Sequence, residues 1–137
     1  MTTTDEQANP AVRLGIQRGQ VVQEIGYDDD VDQELRAGIG KITGNDLVDE
    51  DHDDLADVVV LWFREDDGDL TDALVDNLMS LQEGGVLWLL TPKSGRDGYV
   101  NPSSIGEAAR SAGLALTTSV DAASHWAGSR LVSPKAR

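Results

Sequence analysis

The chain of 137 residues has no cysteine, which excludes disulfides, thiol redox chemistry and thiolate metal sites. That absence fits a reducing cytoplasm, the expected location. Histidine occurs only as His52 and His125, and neither stands in a nucleophile or metal motif. No serine sits in a Gly-x-Ser-x-Gly elbow, so a serine-hydrolase reading has no support. The longest uninterrupted apolar run, Val58–Phe63, is far short of the roughly 20 residues a membrane helix needs. No membrane span is expected. The start, Met1–Pro10, is polar, with neither a basic leader nor an apolar stretch, and reads as a flexible tail instead of a secretory signal. Residues 11–137 then form a single α/β domain.

Basic residues are also scarce, and their scarcity is local. Between Asp28 and Asp76 stand 18 of the 25 acidic residues against Arg36, Lys41 and Arg64, a balance of −15 within a total of −14. The rest of the chain is close to neutral. A field of one sign so concentrated admits cations and basic protein faces and repels bare nucleic acid and anionic lipid. With 39% apolar residues the chain nevertheless has enough to bury a core.

Apolar segments alternate between two periods. Gln20–Tyr27 reads as a first strand, followed by Asp28, Asp29 and Asp30 as candidate helix caps and a short helix to about Gly38, with Gly38 and Gly40 as stop signals. Asp57–Phe63 is β-branched and apolar without alternation, the pattern of a strand covered on both faces. Asp69 caps the next helix, whose stripe Leu70, Ala73, Leu74, Leu78 and Leu81 ends at Gly84 and Gly85. Val86–Thr91 is a second buried strand. Asn101 with Pro102 opens a helix that Gly113 closes, and Leu114–Val120 with Ser129–Ser133 suggest an edge hairpin across a loop containing His125 and Trp126. Gly44–Val48 is a candidate short edge strand. This rhythm predicts a small three-layer α/β fold, its sheet mostly parallel with a C-terminal antiparallel hairpin.

Each chemical motif meets a plainer explanation. Gly38–Gly44 lacks the glycine at Leu35 and the hydroxyl at Ile42 that a P-loop requires, and it follows a helix. Helix termination is the better account. Asp49, Asp51 and Asp53 alternate as in a calcium loop, but Asp54 stands where the turn needs glycine and Val60 where the bidentate glutamate belongs. Only a weak hydrated Mg²⁺ or Ca²⁺ site would remain. Asp28–Asp30 and the Asp66, Asp67 and Asp69 cluster follow the two strands at the end where parallel sheets bind ligands, and can form one acidic rim if those strands are neighbours. Trp126, beside His125 and Arg130, is the candidate aromatic of a contact surface.

Arg13-Leu14-Gly15-Ile16, Val22–Asp28 and the terminal Trp126 with Arg130-Leu131-Val132 resemble a family of small acidic actinobacterial proteins that carry a domain of unknown function. The resemblance covers nearly the whole chain from about Pro10 and implies a cytoplasmic bacterial setting. The order of elements is similar to the later half of the class I methyltransferase sheet, which implies a Rossmann-like fold. That likeness implies no activity, because fold does not carry function. Such enzymes hold adenosylmethionine on a Gly-rich turn after the first strand, where Gly26-Tyr27-Asp28-Asp29-Asp30 stands here. Their Asn-Pro-Pro-Tyr signature is replaced by Arg64-Glu65-Asp66-Asp67.

The expected function is a non-enzymatic domain that binds a basic face of a protein partner through Asp28, Asp29, Asp30, Asp66, Asp67 and Asp69, with no cofactor and no direct contact to nucleic acid. The alternative is a small-molecule or divalent-metal site in the strand-end crevice of a degenerate methyltransferase-like domain, using Tyr27, Asp28 and Asp66. A third reading has the acidic face mimic DNA.

Overall fold

The computed structural model describes residues 9–133. Its regular elements run β1 (Val22–Ile25), α1 (Gln33–Thr43), β2 (Ala56–Trp62), α2 (Leu70–Leu78), β3 (Leu81–Pro92), α3 (Pro102–Ser111), β4 (Ala115–Asp121) and β5 (Trp126–Val132). Strand order across the sheet is β1-β2-β3-β5-β4. β1, β2 and β3 are mutually parallel, while β5 lies antiparallel between β3 and β4. The expected α/β class, mostly parallel sheet and terminal hairpin are all present.

Period-two alternation in a doubly covered strand divides the core. Val58, Val60 and Trp62 of β2, with Trp88 and Leu90 of β3, pack under Leu35 and Ile39 of α1 and under the 3-10 turn Pro10–Leu14. Val59, Leu61, Leu87 and Leu89 point the other way, onto α2 and α3 through Leu70, Leu74, Ile105, Ala108 and Ala109. Both faces of the central strands are dry, so they tolerate no polar alternation. Trp88 Nε1 donates to the Leu14 carbonyl at 2.9 Å, which pins the N-terminal turn to the sheet. Among the described residues no helix is long and apolar enough to cross a membrane.

Several boundaries differ from the sequence reading, each for a local reason. The cap of α1 is Asp32, whose Oδ2 accepts from the Leu35 amide at 2.8 Å; none of Asp28, Asp29 or Asp30 caps it. The helix passes through Gly38 and Gly40 and stops at Gly44, which takes the left-handed φ of 79°. Gly38 is there for space, because a Cβ would collide with the Asn9 side chain that donates to its carbonyl at 3.1 Å. Leu81 ends the α2 stripe only by coincidence of spacing: the helix stops at Leu78, and Leu81 is the first residue of β3, opposite Ala56. Gly84 and Gly85 lie inside β3, at the register shift between that pair and Val58–Val86. Trp126 opens β5 and is not a loop residue. The candidate edge strand Gly44–Val48 is reduced to a single parallel bridge, Gln23 with Val48.

Candidate functional site

Three loops meet at the carboxyl ends of β1, β2 and β3. The first, Gly26–Asp32, leaves β1 at Gly26, where a Cβ would strike the Trp62 carbonyl and φ is 83°. The second, Phe63–Asp69, contains the 3-10 turn Glu65–Asp67, and the third runs from Lys93 to Val100. Arg64 joins all of them. Its Nη1 donates to the Gly26 and Trp62 carbonyls at 2.8 and 3.1 Å, and its Nε and Nη2 grip both oxygens of Asp30. Asp67 Oδ2 accepts from the Arg64 amide at 2.9 Å and lies 3.4 Å from Nη1. Gly98 abuts the Arg64 side chain, and its carbonyl accepts from the Glu65 amide at 2.9 Å.

The guanidinium also lies over the Trp126 ring, 5.2 Å from the centroid. Trp126 meets Trp62 edge to face at 4.8 Å and donates its Nε1 to the Asp30 carbonyl at 3.1 Å. At 3% exposure it is core, which corrects its expected place on a contact surface: the indole closes the apolar layer beneath Arg64 and holds the Asp30 backbone. Burial pulls the Arg64 guanidinium down, but hydrogen bonding and charge from Asp30, with Asp67 behind, outweigh it and leave the group above its usual value. In return the Arg64 hydrogen bond holds the Asp30 carboxyl below its ordinary range.

The acidic candidates therefore separate by partner. Asp30 and Asp67 are neutralised by Arg64, and Asp69 Oδ1 caps α2 by accepting from the Thr71 amide at 2.9 Å. Asp28 accepts from the Asp29 amide at 2.7 Å, and Asp28, Asp29 and Asp66 are exposed with no cation among the described residues. Glu50 reaches the same edge, its Oε2 accepting from the Gly26 amide at 2.9 Å. Asp49 uses Oδ1 on the Asp51 amide at 3.0 Å. No group of three His, Asp or Glu residues suited to a metal ion exists among the described residues, so Asp49, Asp51 and Asp53 are not drawn together.

A second ionic network was hidden in the strand reading. Glu24, buried in β1, accepts from Arg36 Nε and Nη2 at 2.7 and 2.9 Å and from Trp62 Nε1 at 2.9 Å. Arg36 in turn stacks on Tyr27 at 4.6 Å and donates to Gln33 at 2.9 Å, and Gln33 donates to the Tyr27 hydroxyl at 3.2 Å. Tyr27, named as a crevice candidate, is thus engaged with α1 through Arg36 and Gln33. The only available signal was a charged residue inside an apolar strand with an arginine in the following helix.

A parallel three-strand core with an antiparallel pair at one side, covered by helices on both faces, defines a Rossmann-like fold, similar to that of methyltransferases. It aligns with N,N-8-amino-8-demethyl-D-riboflavin dimethyltransferase (RosA) of Streptomyces davawensis at a TM-score of 0.68 and 12% identity, over 97% of this chain and 56% of that one. The CcbJ methyltransferase of Streptomyces caelestis aligns at 0.58 and 12%, over 95% of each chain. A TehB-like enzyme of Corynebacterium glutamicum aligns at 0.56 and 15%, over 94% of this chain and 88% of that one. Identity this low establishes the fold alone. The chain belongs to the family described as protein of unknown function DUF3052, whose family model matches residues 11–135. Uncharacterised proteins of Mycobacterium tuberculosis (Rv2239c) and Mycobacterium bovis (Mb2263c) are each 49% identical to it over 137 residues, 100% of this chain and 86% of theirs.

Proposed function

We propose that this is a methyltransferase-like domain whose strand-end crevice is closed by its own side chains, and that it serves as a cytoplasmic docking domain for a basic face of a protein partner. The observation that carries this reading is Arg64. Its guanidinium takes the Gly26 and Trp62 carbonyls, Asp30 and the Trp126 face, the space between β1 and β2 where an open α/β sheet holds a ligand. The carboxylates left unpaired around it, Asp28, Asp29 and Asp66, supply a negative field that speeds association with a basic surface more than it sets affinity.

Two measurements test the two halves. A ligand at 100 times its Kd stabilises a protein by about 2.7 kcal/mol, so adenosylmethionine and adenosylhomocysteine at millimolar concentration should leave the melting temperature unchanged. A clear rise would reopen the crevice as a cofactor site. Affinity capture with the full chain, followed by mass spectrometry, should yield a basic partner that is lost when Asp28, Asp29 and Asp66 are all replaced by Lys. Equal capture by the charge-reversed protein at low salt would remove the docking role.

A further inference from the structure

The face of the sheet opposite the Glu24 network has a gap that the acidic rim does not use. On that face β3 presents Leu89 and then Thr91, and β5 presents Leu131, Ser129 and Ala127. Helix α3 starts only at Pro102, so its first turn and Val100 before it stand beside the small residues at this end of the sheet. The result is a pocket of about 180 Å³ between the end of β3, the β4–β5 pair and the first turns of α3, walled by Val100, Pro102 and Ile105. Tyr99 and Leu116, large apolar side chains that remain exposed, stand at its lining.

Its polar groups are few and placed. Thr91 and Ser129 are 2% and 6% exposed, line the pocket, and make no side-chain hydrogen bond among the described residues. Neither hydroxyl is among the fully enclosed polar atoms without a partner, which among those residues are Gln23 Oε1 alone, and both residues line the pocket. Such buried hydroxyls ordinarily find partners. Lys93 also contributes to the lining, but its ammonium is paired with Asp121 at 3.2 Å and gives the site no free cation.

We propose that this pocket binds a neutral monocyclic aromatic molecule carrying one hydroxyl or carbonyl oxygen. The pocket is open on one side, and its volume of about 180 Å³ has room for a single six-membered ring, since an enclosed cavity of about 150 Å³ accepts benzene. The walls bury the ring, and Thr91 and Ser129, each able to donate or accept, take the oxygen. The inference is separate from the docking role of the acidic rim: the pocket lies at the same carboxyl end of β3 and shares the Lys93–Val100 loop, but it is on the α3 face of the sheet and uses none of the rim aspartates.

Phenol and toluene, of nearly equal shape, are the probes, titrated into the full ¹⁵N-labelled chain. Phenol should shift the amides of Thr91, Ala127 and Ser129 in a saturable manner, with Kd on the order of 1 mM. Ser129→Ala and Thr91→Val should each weaken phenol relative to toluene by about fivefold, one hydrogen bond's worth. Ala127→Leu, or Ser119→Phe at the exposed strand should the first variant fail to fold, should abolish binding of both. Shifts that stay linear, that scatter over the surface, or that persist in whichever filled variant folds would overturn the proposal, as would an unchanged phenol-to-toluene ratio in Ser129→Ala and Thr91→Val.

Discussion

Glu24–Arg36 and Asp30–Arg64 are both arginine forks on a carboxylate beside Trp62, yet they are built in opposite senses. In the first, the acid is inside: the Glu24 side chain is 7% exposed and Arg36 29%. In the second, the base is inside: Arg64 is 12% exposed and Asp30 53%. The buried member of a pair needs its partner, whereas the exposed one has water. Glu24 finds its donors in Arg36 and Trp62, while Arg64 spreads its donors over two backbone carbonyls as well as two aspartates. The first pair joins β1 to α1, and the second closes the sheet edge.

The largest effect should come from Arg36→Met, which leaves a carboxylate in the core with only the Trp62 indole. With the partial exposure of Arg36 discounted, a loss of about 2 kcal/mol in urea unfolding is expected, and Glu24→Gln in the same protein should recover part of it. If the double variant is no more stable than Arg36→Met, the carboxylate is not the cause. Arg64→Met should lose about 1–2 kcal/mol, because the Gly26 and Trp62 carbonyls at the sheet edge regain water in its place. Equal losses at the two arginines would erase the distinction between them.

Asp30→Asn should cost least, below about 1 kcal/mol, since the pair is solvent-screened on the acid side. Its effect should depend on pH. Arg64 lowers the Asp30 carboxyl from 3.8 in the folded state. The pair's contribution is therefore complete above that value and fades as pH falls through the lower folded one. The acid limb of melting temperature against pH should be shallower in Asp30→Asn, with the two curves parallel near neutrality. Curves that remain parallel down to pH about 2 would show that Asp30 holds no stabilising charge.

Legibility differed between scaffold and edge for one reason. The β2 run and the caps Asp69 and Asn101 are local patterns, each decided by residues within a few positions. Arg64 and Asp30 are 34 residues apart, Glu24 and Trp62 are 38, and Trp126 and Asp30 are 96. Such partners are chosen by strand register, here Glu24 opposite Val60 and Ile25 opposite Leu61. Asp28–Asp30 looked like helix caps because any of four neighbouring aspartates fits that role in sequence; the backbone assigned it to Asp32. Trp126 read as exposed because its surroundings, His125 and the glycine after Ala127, look like a loop, while β3 and Arg64 enclose it.

By itself the chain determined the layers and the placement of acid. Unbroken apolar runs can be stable only when covered on both faces, and polar loops must leave such strands at their ends. Tertiary structure decided which charges remain free. The same aspartates, drawn as one negative rim on the sequence, are divided by a single arginine into neutralised and open ones. That division depends on which loops the parallel register brings within hydrogen-bonding reach, and no spacing along the chain encodes it.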